Sequence, residues 1–114
     1  MPSSLFINSA NAVYVEAEAD GIGTLTSTDF LAATGTLRLN TTSVHSLTST
    51  IVSGTSALTL TIMSGITTAP FKYHGIIPNT VTLTDGSTYW IHTVLTIAGT
   101  VETTQEQATA RYKT

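Results

Sequence analysis

In this 114-residue chain, the three histidines form the first group of residues whose side chains could carry chemistry. His45, His74 and His92 are its only imidazoles, and no two are spaced as His-x-His or His-x-x-x-His. A zinc site needs at least three protein ligands held by further hydrogen bonds, and the chain has no Cys to supply a thiolate. We therefore predict no metal and no cofactor, and expect these imidazoles to face solvent or to be hydrogen-bonded.

A second candidate for chemistry is the pair Glu16 and Glu18, which fall two residues apart on a predicted strand and so share one face. Asp20 follows closely, and the three could form an acidic edge. Paired carboxylates bind calcium or perform acid–base catalysis, but no calcium-binding loop motif follows. A charged edge strand protected from unwanted pairing is the simpler interpretation. Because serine nucleophile elbows and glycine-rich phosphate loops are also absent from the sequence, we predict no enzymatic activity.

The aromatic residues offer a third kind of chemistry, which is stacking on a sugar ring or a base. Trp90 and Tyr73 in a shared groove would form such a platform, and a host-surface carbohydrate-binding module is therefore one alternative function. Trp90 falls on the strand face opposite Ile91 and Leu95. Since both faces of this strand carry apolar residues, we predict that one faces the core and the other meets a partner or another segment of the chain.

The composition indicates a β-sheet protein that acts through its surface. Ser and Thr make up about a third of the chain, 41% of residues are hydrophobic, and only 10% are charged. Thr suits a pleated, half-buried surface because it is branched at Cβ. The net charge is −3 and the four basic residues form no cluster, so we predict no nucleic-acid partner. No apolar run is long enough for a signal peptide or a membrane span.

The pattern along the chain indicates many short strands and no helix of useful length. Alternating residues predict strands over 12–16, 34–40, 44–52, 58–62, 71–77, 89–97 and 101–113. Leu83, Asp85, Gly86 and Tyr89 form a tight turn followed by a Tyr at the start of the longest strand. In immunoglobulin-type sandwiches such a Tyr bonds the backbone a few residues upstream, and the four residues therefore predict a structural corner.

The predicted fold is an all-β, immunoglobulin-like antiparallel β-sandwich of about seven to nine strands. Its predicted core consists of Leu37, Leu39, Leu58, Leu60, Ile62, Phe71, Tyr73, Tyr89, Ile91, Leu95 and Ile97.

Residues 36–113 also carry a series of motifs in a characteristic order. The motifs are Leu58-Thr59-Leu60-Thr61, the pair Ser64-Gly65 that ends this strand, Phe71-Lys72-Tyr73-His74-Gly75 before Pro78, and Leu83 through Tyr89. This layout resembles a family of small immunoglobulin-like structural proteins of tailed bacteriophages. The resemblance implies a virion protein, made in the host cytoplasm, without catalytic residues. It implies a capsid decoration (cement) protein that binds the major capsid protein, or else a neck or tail component, forming a homo-oligomer within the assembly.

The first thirty or so residues do not match this layout. We predict an N-terminal arm or edge segment over residues 1–11 and a single sandwich domain over 12–114. The segment contains Leu5, Phe6 and Ile7, which either dock on a neighbouring subunit or close the chain's own sandwich. Together with Trp90, these three residues are the candidate partner-binding residues.

Overall fold

The computed structural model describes residues 4–17, 26–63 and 71–112, and within these ranges the chain is almost entirely β-structure. The strands are β1 Ser4–Phe6, β2 Asn11–Glu16, β3 Thr34–Asn40, β4 Leu58–Ile62, β5 Lys72–Ile77, β6 Thr88–Ile97 and β7 Thr100–Arg111. They form one mixed sheet in the order β1-β7-β6-β3-β4-β5-β2. The prediction of an all-β fold with at least seven strands is confirmed.

The sheet curls until its two edges approach each other. Strands β1 and β2 lie at opposite ends of the strand order, yet only residues 7–10 connect them. Four residues span at most about 15 Å, so the edges must be close in space. The Asn11 side chain joins them, because its Oδ1 accepts from Phe6 N (2.9 Å) and its Nδ2 donates to Phe6 O (3.0 Å). The result is a nearly closed sheet around one core.

Strand β4 connects the two halves of this curled sheet. Its residues Leu58–Leu60 pair with β3, whereas Thr61 and Ile62 pair with β5. Strands that change partners in this way form the corners between packed layers. The observed pairing is therefore consistent with the predicted two-layered sandwich.

One pairing differs from the antiparallel prediction. β1 runs parallel to β7, with Ser4 opposite Thr109 and Phe6 opposite Arg111, while the other pairs of neighbouring strands are antiparallel. In this parallel orientation, β1 ends at Phe6 and continues through a short turn into β2, which lies at the opposite edge of the sheet. Asn8 has a positive φ of 61° in this turn.

The prediction of a strand over residues 44–52 is wrong. Residues 41–50 form successive turns, and the segment contributes a single bridge between Asn40 and Ile51. Its Ser and Thr hydroxyls bond nearby groups instead of leaving the backbone to a ladder. For example, Ser49 Oγ accepts from Asn40 Nδ2 at 2.9 Å and donates to Thr42 O at 3.2 Å.

The helical content is one short helix, α1 Ser27–Leu31, within the described residues. Thr26 and Asp29 form its capping box. The helix places Phe30 in the core, stacked on Phe71 with ring centroids 4.4 Å apart. No helix in the part of the chain that the structure describes is long and apolar enough to cross a membrane.

The core contains most of the predicted residues and several that the alternation does not reveal. Leu58 and Ile62 are only partly buried, and the other nine predicted core residues are buried. The additional buried apolar residues are Leu5, Ile7, Val13, Ala17, Phe30, Ile77, Val81, Leu83, Ala108 and Ala110. Some residues of the predicted motifs lie outside the described ranges, namely Glu18, Asp20 and the strand-ending pair Ser64-Gly65.

Candidate functional site

The predicted corner at the start of β6 is present. The backbone N–H of Thr84 donates to the Tyr89 hydroxyl at 2.8 Å, and the Tyr89 ring is buried. Gly86 has a φ of 82°, which favours glycine, and its N–H donates to Ala110 O at 2.8 Å. Leu83 is buried beneath the turn and Asp85 is exposed. These residues join the turn to β6 and β7 and have a structural role.

Replacing Tyr89 with phenylalanine is expected to lower the free energy of unfolding by about 1 kcal/mol. The substitution keeps the buried ring but removes the acceptor of the Thr84 N–H. Urea unfolding followed by circular dichroism measures the change, with Tyr112→Phe as the matched control because Tyr112 is exposed. Equal stability of the two variants would contradict the structural role of this hydrogen bond.

Strand β6 also presents a half-buried face on the outside of the sheet. Its inward residues, such as Ile91 and Leu95, are fully buried, while Trp90, His92 and Val94 alternate with them and are half-buried. We define the outer face as this side of β3, β6 and β7. Besides Trp90, His92 and Val94, it includes Arg38, Asn40, Gln105 and Gln107.

A loop of the chain itself covers part of the outer face. The Val44 N–H donates to Gln105 Oε1 at 2.7 Å, and Gln105 Nε2 donates to Ser43 Oγ at 3.2 Å. These contacts hold the turns of residues 41–50 against β7. The sequence predicts that either a partner or another segment meets this face, and a segment of the chain does so in part.

The outer face carries the cation Arg38 beside His92. Arg38 on β3 lies opposite His92 on β6. Burial lowers the pKa of His92, and the positive charges of Arg38 and His45 lower it further. Its imidazole is therefore neutral at pH 7.

Four buried polar atoms on this face, or in the loop that covers part of it, have no hydrogen-bond partner among the described residues. They are Arg38 Nε, Asn40 Oδ1, Thr42 Oγ1 and His92 Nδ1. Buried polar groups in native structures are usually paired. Because these atoms are shielded from solvent, they do not by themselves offer a contact to a molecule outside the chain.

Trp90 and Tyr73 do not share a groove, and the prediction that Tyr73 belongs to the core is confirmed. Tyr73 faces the interior with no exposed surface, and its hydroxyl donates to Phe30 O. Burial and the negative charge of Glu102 raise the pKa of Tyr73. Trp90 lies on the outer face, so the two rings lie on opposite sides of the sheet. The alternation of β5 places Tyr73 inside together with Phe71 and Ile77.

The N-terminal candidates are used largely by the chain's own fold. Leu5 has no exposed surface and Ile7 is 7% exposed, and both belong to the core. Phe6 points outward, where the Arg111 guanidinium lies 5.4 Å from its ring centroid. In the isolated chain, residues 4–6 thus form an edge strand that closes the sheet.

The remaining candidates for chemistry are not brought together. His74 lies on β5 and His92 on β6, and these strands are not neighbours. In residues 4–17, 26–63 and 71–112, no group of three His, Cys, Asp or Glu side chains could hold a metal ion. A pocket of about 350 Å³ is lined by Tyr14, Val15, Glu16, Met63 and Lys72. Two of these lining residues, Glu16 and Lys72, lie opposite each other across β2 and β5.

Comparison with known proteins identified no match among protein-family models, curated proteins or solved structures. The function must therefore be argued from the all-β fold, the outer face and the edges of the sheet.

Proposed function

We propose that this protein is a non-enzymatic structural component of a virion, and that it binds the major capsid protein lattice as a capsid decoration (cement) protein. The single observation that carries the proposal is the outer face, where half-buried Trp90 shares one side of the sheet with Arg38 and with the exposed Gln105 and Gln107. Tryptophan and arginine are enriched in protein–protein interfaces, and such anchors contribute most of the binding energy. The resemblance of residues 36–113 to phage structural proteins supports the virion setting.

The proposed mechanism is burial of surface at the junctions between capsid subunits. Apolar area removed from water contributes about 25 cal/mol per Å² before the costs of association are subtracted. A partner could also form hydrogen bonds with the exposed amides of Gln105 and Gln107. Many copies bound to one lattice multiply a contact that is weak in each copy. This explains how a small domain with few charges can reinforce a large shell.

Truncating the centre of the outer face is expected to weaken association with capsids at least about tenfold. The variants are Trp90→Ala, which removes the apolar anchor, and Arg38→Ala, which removes the cation. Co-sedimentation with capsids of the phage whose genome encodes the chain measures the binding. Tyr14→Ala is the matched control, because Tyr14 is 53% exposed and lies on β2 at the other end of the strand order.

Circular dichroism first establishes that each variant is folded. If folded Trp90→Ala and Arg38→Ala proteins both bind capsids as well as Tyr14→Ala, the outer face is not the contact surface. If the unaltered protein does not bind capsids at all, the cement function is wrong. Binding at a single ring of positions, instead of across the lattice, would identify the neck or tail alternative.

A carbohydrate-binding module is the second candidate function, and the surroundings of Trp90 favour it. Across the strands, Trp90 lies opposite Gln107, whose exposed amide can bond sugar hydroxyls. Trp90 is the only tryptophan of the chain, so its fluorescence reports directly on a ligand at this position. A saturable change with host-surface glycans, lost in Gln107→Ala, would support this function over the capsid contact.

A further inference from the structure

Strand β7 has a long edge without a neighbouring strand among the described residues. β6 pairs with β7 from Thr100 to Thr109 on one side. On the other side, β1 covers only Thr109–Arg111. Within the described part of the chain, no strand pairs with residues 100–108 on this second side. The first part of β7 is therefore an edge that another strand can extend.

The hairpin geometry shows which backbone groups point outward along this edge. Ala98 and Gly99 both have positive φ, 48° and 85°, and form a two-residue loop. In such a hairpin Ile97 and Thr100 form a hydrogen-bonded pair, and alternate residues of β7 then direct their N–H and C=O groups toward β6.

Two hydrogen bonds at the far end of β7 show independently which alternate residues bond toward β6. Ala110 N donates to Ser87 O at 2.9 Å on the β6 side, whereas Arg111 O accepts from Ile7 N at 2.9 Å on the β1 side. Even-numbered residues thus bond toward β6 and odd-numbered residues point away from it. The outward N–H and C=O groups of the free edge belong to Val101, Thr103, Gln105 and Gln107.

The edge carries negative charge on inward-pointing carboxylates, which protect it from pairing with strands that bring no compensating charge. Residues 100–110 contain Glu102 and Glu106 but no Lys, Arg or Pro. Both carboxylates lie on the inner side of β7, opposite Leu95 and Ile91 of β6. Burial raises the pKa of Glu106, which indicates that its charge is poorly solvated.

This charge pattern disfavours one register in which a second copy of the chain could add its own β7 strand. An antiparallel pair of β7 strands centred on Thr104 would place Glu102 of each copy directly opposite Glu106 of the other. Like charges in directly opposed positions destabilise a strand pair, whereas opposite charges stabilise it. A strand with basic side chains at alternate positions is complementary to the same edge.

We propose that residues 101–107 of β7 bind an extended segment of a partner protein that carries Lys or Arg at alternate positions. The segment adds a strand to the sheet through main-chain hydrogen bonds, and its basic side chains lie beside Glu102 and Glu106. The inference rests on the proposed function only in that the partner is a protein. It names a contact distinct from the outer face.

The first test uses an extended synthetic peptide of alternating threonine and lysine, with an alternating threonine–glutamate peptide for comparison. The lysine peptide is expected to bind, and bound peptide should slow amide hydrogen exchange at Val101, Thr103, Gln105 and Gln107, measured by NMR. Added salt should weaken binding because charged pairs are screened. Absence of binding, or binding without protection of these amides, would overturn the proposal.

The second test removes one outward donor. Thr103→Pro deletes an N–H that faces away from β6, a position at which an edge strand tolerates proline. It should bind the lysine peptide at least about tenfold more weakly, while Thr103→Ala, which keeps the N–H, binds normally. Glu106→Gln should weaken binding about two- to fivefold. A melting temperature close to that of the unaltered protein establishes that each variant is folded.

Equal binding by folded Thr103→Pro and Thr103→Ala would rule out strand addition at this edge. Protection of the same amides in the protein alone, accompanied by a dimeric mass, would assign the edge to a second copy and overturn the proposed partner. Failure here is distinguishable from failure of the capsid function, because capsid association is measured separately through Trp90→Ala and Arg38→Ala.

Discussion

Replacing Leu5 with alanine is expected to lower the free energy of unfolding by about 2–5 kcal/mol. The Leu5 side chain has no exposed surface and packs in the core, and its strand pairs with the buried Ala110 of β7. Truncation leaves a cavity that the neighbouring strands cannot fill, since the curled sheet and the Asn11 hydrogen bonds hold β1 in place. Urea unfolding followed by Trp90 fluorescence measures the change.

The matched control for this prediction is Leu47→Ala. Leu47 is fully exposed in the turns of residues 41–50, so the same chemical change should alter stability by less than about 0.5 kcal/mol. The comparison also separates the two interpretations of the N-terminal segment. If Leu5→Ala were as stable as Leu47→Ala, residues 4–6 would not close the core, and an arm that binds a neighbour would be the better description.

The N-terminal strand illustrates what the sequence could not decide. Leu5-Phe6-Ile7 is a continuous apolar run, and three residues are too few to show either a strand or a helix period. Its position depends on a parallel pairing with Thr109–Arg111 at the other end of the chain. Such a pairing leaves no local signal, because parallel neighbours require no hairpin turn between them. The alternation of β6, by contrast, depends on local residues only, and it predicts the buried face correctly.

The candidate site shows the same division between local and distant information. The Asp85-Gly86 turn and Tyr89 are close in sequence, and the corner hydrogen bond could be predicted from their spacing. The outer face depends on Gln105 bonding Ser43 and Val44, which are about sixty residues away. Among the described residues, the extent of the β7 edge depends in turn on which part of β7 pairs with β1, namely Thr109–Arg111. The alternation of residues within a single strand predicts neither the covering of the outer face nor the edge of β7.

Gly75 on β5 should be the second position at which a small change has a large effect. Gly75→Ala is expected to lower the free energy of unfolding by about 1–3 kcal/mol. A Cβ at this position would lie 2.8 Å from Thr59 O and 2.9 Å from Leu37 Cδ2. Leu37 can change its rotamer, but the Thr59 carbonyl belongs to the backbone of β4. The added methyl group therefore forces β4 and β5 apart at the point where β4 changes partners.

The adjacent residue provides the control, because Ile76 is 51% exposed on the opposite side of β5. Ile76→Val should change stability by less than about 0.5 kcal/mol. Urea unfolding of Gly75→Ala should show a lower midpoint with an unchanged slope, since the surface exposed on unfolding is the same. If Gly75→Ala matched Ile76→Val in stability, the two halves of the sheet would not pack closely at Gly75. The curled sheet therefore leaves no room for a side chain at Gly75 between Leu37 of β3 and the backbone of β4.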